Sequence, residues 1–168
     1  YALTRKKEYV LLTLENRKLL AADPALVKKM GLKPGEELDL ESFLEQNQPF
    51  AYRWGLECAF ASLSYAPRTV KQIQDTLRRK GVQEDAADKI LSKLTESRYL
   101  DDARFSTDYV AYRMEEGRGR QYFRNKLREK GVEEALIEEA LALYGEEKEK
   151  ENALSYLTKQ NSSLKKYP

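Results

Sequence analysis

Apolar residues recur at three- and four-residue intervals over most of the chain, the spacing of helices that bury one side. Val70, Ile73 and Leu77 share one face. They are preceded by Thr69 with Gln72 three positions on, a capping box in which hydroxyl and amide each satisfy a free backbone N–H. A helix is therefore predicted from about Val70 to a stop at Gly81, where glycine takes the left-handed conformation readily. A second helix follows with Ala87, Ile90, Leu91 and Leu94 inward. Ahead of both, Ala51 to Tyr65 reads as a helix with Leu56, Ala59, Phe60 and Leu63 on one stripe, closed by Pro67, which disfavours helix at Ala66.

The pattern then repeats. Leu77-Arg78-Arg79-Lys80-Gly81-Val82 returns fifty residues later as Leu127-Arg128-Glu129-Lys130-Gly131-Val132. Ile73 matches Phe123, Ala87 matches Ile137, Leu91 matches Leu141 and Leu94 matches Tyr144, apolar with apolar throughout. In the second copy Phe105, Tyr109 and Tyr112 are read as the first stripe, Gly119 as an N-cap, and Ile137, Ala140, Leu141 and Tyr144 as the last inward face. The unit is three helices, and units in series build several small cores, so an elongated array is expected.

The first fifty residues read differently. Glu8 to Leu14 and Lys18 to Leu20 are β-prone runs around Glu15-Asn16-Arg17, a small hairpin. Asp23-Pro24 supplies an N-cap and first-turn proline to a short helix that stops at Gly31, and Lys33-Pro34-Gly35-Glu36 is a turn. A short helical segment from Ser42 to Gln46 leads to a joint at Asn47-Gln48-Pro49. After Gly145, the charge run Glu146 to Glu151 opens a further helix with Ala153, Leu154 and Leu157. The expected division is residues 1–48 as extension, 49–97 as repeat 1, 98–145 as repeat 2 and 146–168 as the first helix of an incomplete third. The chain begins at Tyr1 without Met and stops before a third basic helix, as a fragment of a longer protein would.

Composition narrows the function. With 41% hydrophobic and 35% charged residues, no apolar run approaches the ~20 residues that span a bilayer. The single cysteine, Cys58, lies among Leu56, Ala59 and Phe60 and reads as a small buried apolar residue. No secretory h-region occupies residues 1–22, so a cytoplasmic monomer is expected. Net charge is only +2 but uneven: Arg118 to Lys130 holds six basic residues and one acidic, whereas Glu133 to Glu151 holds eight acidic and two basic.

Arg120, Arg124 and Arg128 follow i, i+4 spacing and form a ladder, with Arg118, Lys126 and Lys130 beside it. Copy one contributes Arg68, Lys71, Arg78, Arg79 and Lys80. Two registered basic clusters suit a phosphate backbone or an acidic protein surface. The plainer reading is a solvated face, with Lys80 and Lys130 offsetting helix macrodipoles. Trp54, Tyr52 and Tyr65 are candidates for base stacking or for half-buried core. Catalysis finds no support: the chain has no His, no P-loop, no paired Cys and no Ser or Thr beside a plausible base, and Asp101-Asp102 is most simply a helix N-cap. No catalytic residue, metal or cofactor is expected.

Tyr99-Leu100-Asp101-Asp102-Ala103-Arg104-Phe105, followed by Tyr109, Val110 and Arg113, then Gly117-Arg118-Gly119, then Leu127 to Val132, resembles the RecX family of regulatory proteins in order and spacing. The resemblance is strong from Tyr52 to Tyr144 and weaker through the hairpin, and the chain departs from the family in its incomplete third unit. It implies a mainly α fold of tandem three-helix repeats with a small β-hairpin-containing extension. It further implies binding to the RecA recombinase filament on single-stranded DNA, inhibiting filament extension, ATPase, strand exchange and co-protease activity, and so modulating DNA repair, recombination and the SOS response. A general single-stranded nucleic-acid binder is the alternative. A repeat-adaptor scaffold ranks last, since the period of fifty exceeds the usual ~34 of tetratricopeptide repeats.

Overall fold

In the computed structural model residues 1–6, 8–15, 17–143, 145, 149–155 and 157–158 are described. The chain forms two compact units, Tyr1–Leu100 and a second that begins at Asp101.

The first unit opens with a three-stranded antiparallel sheet, β1 (Ala2–Arg5), β2 (Val10–Thr13) and β3 (Leu19–Ala22), in the order β1-β2-β3. The hairpin expected from the sequence is β2-β3, with Leu12 opposite Leu20. β1 is an addition: its exposed positions give little apolar signal, and it is held by pairing Leu3 with Leu12. Val10 and Leu12 point inward to Leu20, Val27 and Phe43. The Asp23 carboxylate accepts from Ala25 N at 2.8 Å and caps α1 (Pro24–Lys29), and Gly31 ends that turn at φ +63°.

Helix α2 (Leu40–Tyr65) is continuous for 26 residues, through the expected joint at Asn47-Gln48-Pro49. A proline inside a helix forfeits one backbone hydrogen bond and crowds the preceding turn. Tertiary bonds from the same turn offset this. Asn47 is fully buried; its amide donates to Ala21 O at 2.9 Å and to Gln83 Oε1 at 3.4 Å, and its oxygen accepts from Asp23 N at 3.1 Å. Gln83 in turn donates to Leu44 O at 3.0 Å. This polar seam stitches the sheet to the first repeat.

Helices α3 (Val70–Arg79) and α4 (Glu84–Glu96) complete the first repeat, and the Thr69–Gln72 capping box is formed. Ile73, Leu77, Ile90 and Leu94 are buried in one core with Ala51, Ala59 and Leu100. On α2 the positions buried against this core are Ala51, Gly55, Cys58 and Ala59. Phe60, expected on the inward stripe, lies ~100° further round the helix; it is 43% exposed and meets Tyr99 edge-on at 5.3 Å. Gly81 has φ +74°, and its carbonyl accepts from Ala21 N at 2.7 Å, so strand and turn touch backbone to backbone.

The second unit repeats the motif with α5 (Asp102–Arg113), a 3-10 turn (Met114–Glu116), α6 (Arg120–Glu129) and α7 (Glu134–Ala142). Asp101 is the N-cap, accepting from Arg104 N at 2.9 Å. Phe123, Leu127, Ile137 and Leu141 are fully buried. On α5 the inward residues are Ser106 and Val110, so Phe105 and Tyr109 are half-buried and Tyr112, ~200° from Val110, is 86% exposed instead of inward. Tyr144 and Glu146 to Lys148 lie outside the described residues; residues 149–155 and 157–158 are helical, with Leu154 and Leu157 on the surface.

Candidate partner and nucleic-acid interface

The basic residues of the first unit cluster on α3 and its flanks. Lys71, Arg78, Arg79 and Lys80 are exposed, and Arg68 is half-buried. The Arg78 guanidinium turns back to Asp75 at 3.0 Å, and Arg79 Nε donates to the Asp75 carbonyl at 3.3 Å. Lys71, Arg78 and Arg79 border a groove of about 670 Å³ between α3 and α4, whose floor includes Val82 and Ala87. The β2-β3 turn adds Arg17 and Lys18 to its rim, and Lys18 approaches Glu84 at 3.5 Å. Arg17 was missed in the sequence; its only signal was the turn itself, where it takes φ +61°.

The ladder on α6 is present, but it faces α7. Arg128 donates through Nε and Nη2 to both oxygens of Glu134, each at 2.7 Å. Arg124 donates to Glu138 at 2.9 Å and to Gln121 at 3.1 Å, leaving its side chain 25% exposed. Arg120 Nη2 donates to Leu141 O at 2.8 Å, closing an orphan carbonyl at the end of α7. The three arginines thus form a clamp between two helices, with the Arg128 side chain still about half exposed. Such forked pairs are strong because both N–H vectors meet a lone pair. Arg128 holds the Glu134 carboxyl below the usual carboxylate range.

The other predicted cations of the second unit sit on rings. The Arg118 guanidinium lies 5.1 Å from the Tyr122 ring centre, and Lys130 Nζ lies 5.5 Å from Tyr109 and 6.0 Å from Phe105. Lys126 pairs with Glu129 at 2.7 Å. Arg113, absent from the sequence-based site, covers Tyr109 at 4.9 Å. Trp54 and Tyr52 are half-buried beside the first core, and Tyr65 is 86% exposed. Burial pushes the Cys58 thiol up to about 11, as expected for an inert packed cysteine. Among the described residues no group of His, Cys, Asp and Glu could hold a metal, and no helix is long and apolar enough to cross a membrane.

Two family models match this geometry: the RecX first three-helix domain over residues 56–94 and the RecX second three-helix domain over residues 101–141. A regulatory protein RecX of Clostridium botulinum (strain Alaska E43) is 32% identical over 162 residues, an alignment covering 96% of this chain and 76% of that protein. The chain belongs to the RecX family. The RecX of Bacillus licheniformis is 32% identical over 95% of this chain, which spans 61% of that relative's length. A crystal structure of a regulatory protein RecX superposes with TM-score 0.67 over 99% of this chain and 84% of that one, at 22% identity, a likeness of fold. RecX from Lactobacillus salivarius gives 0.66 at 26% identity, covering 71% of this chain and 79% of its own. The two matched RecX domains are the two tandem three-helix repeats, and the relatives' common description is that of a regulatory protein.

Proposed function

We propose that this RecX-family chain regulates the RecA recombinase by binding its filament on single-stranded DNA, restraining filament extension and with it ATPase, strand exchange and co-protease activity. In the cell it works in the cytoplasm, as a monomer, without cofactor or bond chemistry, on the machinery of DNA repair, recombination and the SOS response. The observation that carries this reading is the pair of RecX three-helix domains, each built around a basic helix. The exposed cations Lys71, Arg78, Arg79 and Lys80, with Arg68, serve as contacts in the first repeat, and Arg118, Lys126 and Lys130 in the second. Arg120, Arg124 and Arg128 support that surface by fixing α6 to α7.

The test is ATP hydrolysis by RecA assembling on single-stranded DNA. Added well below one molecule per recombinase protomer, the chain slows hydrolysis, since blocking a growing end needs few molecules. An unchanged rate at equimolar chain would sink the reading. A second reading, direct binding of single-stranded nucleic acid without a protein partner, is favoured by the cations stationed on Tyr109 and Tyr122. It requires tight binding to naked oligonucleotide at concentrations where the filament effect is already complete.

A further inference from the structure

Each basic helix has a second side, turned toward the first helix of its own repeat, where among the described residues the carboxylates Asp75, Glu116 and Glu129 are each held by a neighbouring cation. In the first repeat this side is a pocket of about 510 Å³ between Ser62 at the end of α2 and the residues Arg68, Gln72, Thr76, Arg78 and Arg79. Asp75 is the one carboxylate lining it among the described residues, and Arg78 holds it. Arg68 Nε is enclosed there with no hydrogen-bond acceptor among the described residues. A buried guanidinium donor left unpaired is costly, and an oxyanion is the acceptor that Arg68 suits best, with Arg78 and Arg79, here turned to Asp75 and Thr76, within the same pocket to join it.

Fifty residues on, the same helix positions carry a different chemistry: Arg68 corresponds to Arg118, Gln72 to Tyr122 and Thr76 to Lys126. Tyr122 and the stacked pair Phe105–Tyr109, 6.0 Å between centres, are half-buried rings with cations at their faces. Among the described residues, Glu116 and Glu129 nearby are taken up by Arg113 at 3.4 Å and Lys126 at 2.7 Å. Rings interleaved with cations suit unpaired bases on a charged backbone: a base takes a ring face and the displaced cation moves to the adjoining phosphate. An acidic protein surface would satisfy the cations and leave the rings nothing to stack on.

We propose that the face between the first and second helices of each repeat grips single-stranded nucleic acid directly, through phosphate oxygens at Arg68, Arg78 and Arg79 in repeat 1 and through bases stacked on Tyr109 and Tyr122 in repeat 2. The assignment rests on the reading that the chain works where single-stranded DNA is present, and it names the face that meets the strand.

The test uses the intact chain and two labelled probes of equal length, oligo(dT) and an abasic oligonucleotide, titrated at several salt concentrations. The parent protein binds oligo(dT) more tightly than the abasic strand by about thirtyfold or more, in line with two stacked bases at ~1–3 kcal/mol each. The double variant Tyr109→Leu/Tyr122→Leu loses that preference and keeps its salt slope, while Tyr109→Phe/Tyr122→Phe retains the preference because the rings remain. Arg68→Gln/Arg79→Gln keeps the preference and lowers the slope by roughly 1.4, from about 0.7 per phosphate contact on single strands. Equal binding of both probes by the parent, or a preference that survives loss of both rings, overturns the proposal; should the leucine variant unfold, loss of preference in the folded phenylalanine variant does so. Parallel RecA ATPase assays separate the two readings: inhibition by a parent without base preference removes this inference alone, and base preference without inhibition removes the regulatory reading alone. Loss of inhibition in the leucine variant with unchanged oligonucleotide binding assigns the face to a protein partner and overturns the proposal.

Discussion

Helices α3 and α6 end in nearly the same six residues, yet their sides facing the next helix differ. Position for position, Gln74 stands where α6 has Arg124, Asp75 where it has Asn125, and Ala87 on α4 where α7 has Ile137. In the second repeat Arg124 and Arg128 reach across to Glu138 and Glu134, and Ile137 is fully buried beneath them. In the first, Gln74 is short and neutral, Asp75 draws Arg78 back onto its own helix, and Glu84 meets Lys18 from the β2-β3 turn. The groove over Val82 and Ala87 stays open as a result. A shared local motif fixes the helix, the glycine stop and the turn; a few long side chains decide whether the seam beside it is clamped or open.

The largest expected effect strikes what the repeats share. Leu77 and Leu127 are both fully buried, so Leu77→Ala and Leu127→Ala should each cost about 2–5 kcal/mol through the cavity left behind. Chemical denaturation checks this, and a harmless substitution at either site would place that leucine outside its core.

The glycine stops come next, with an effect that at Gly81 approaches the core range. Gly81 and Gly131 have φ +74° and +79°, so alanine at either should cost about 1–2 kcal/mol for a side chain in the left-handed region. Gly81 lies under the sheet: an added Cβ would come within 2.7 Å of Ala21 N and 3.1 Å of Leu20 C, both backbone. Crowding of this kind costs a further ~1–3 kcal/mol. Gly81→Ala should therefore lower the midpoint of unfolding by more than left-handed strain alone accounts for, and a loss of only about 1–2 kcal/mol would mean that the sheet yields freely at this contact.

The smallest effect concerns the clamp. The Glu134 carboxyl is held below its ordinary range, chiefly by its bonds to Arg128, so the stability it contributes is present above the ordinary carboxylate value and is lost as pH falls through its depressed value in the folded protein. Arg128→Gln should lower Tm at neutral pH by less than either core change, and the gap between variant and parent should close in acid and narrow in high salt. A gap that persists after Glu134 is protonated would mean that Arg128 acts through packing of its stem.

Most helices were legible because each is marked twice, by periodicity and by a cap or stop such as Thr69, Asp101, Gly81 or Gly131. The run through Pro49 was not, since what carries α2 past it is a tertiary network centred on Asn47, and a polar residue before proline looks locally like a joint. Strand β1 was hidden for a related reason: it is held by pairing along one edge and shows little of its own apolar alternation. Tyr112 and Phe60 were placed inward because aromatic residues dominate a hydrophobic pattern, whereas the residues that meet the core, Ser106, Val110 and Ala59, are small. Among the candidate contacts, spacing correctly put Arg120, Arg124 and Arg128 on one side of a helix. It could not say that the acids of Glu133 to Glu139 would lie opposite, because that depends on how the next helix returns. Arg113 and the ring-borne placement of Arg118 and Lys130 depend likewise on cross-helix distances.

The chain's one tryptophan stands where the sheet meets the first repeat. Trp54 packs against Tyr9 at 4.6 Å, just ahead of β2, and its indole N–H donates to Lys80 O at 3.3 Å. The molecule therefore carries its own optical gauge. Lifting the sheet would strip the indole of a ring neighbour and bare it to water, moving its emission to longer wavelength, so docking of the amino-terminal strands can be followed in the unlabelled protein by colour alone.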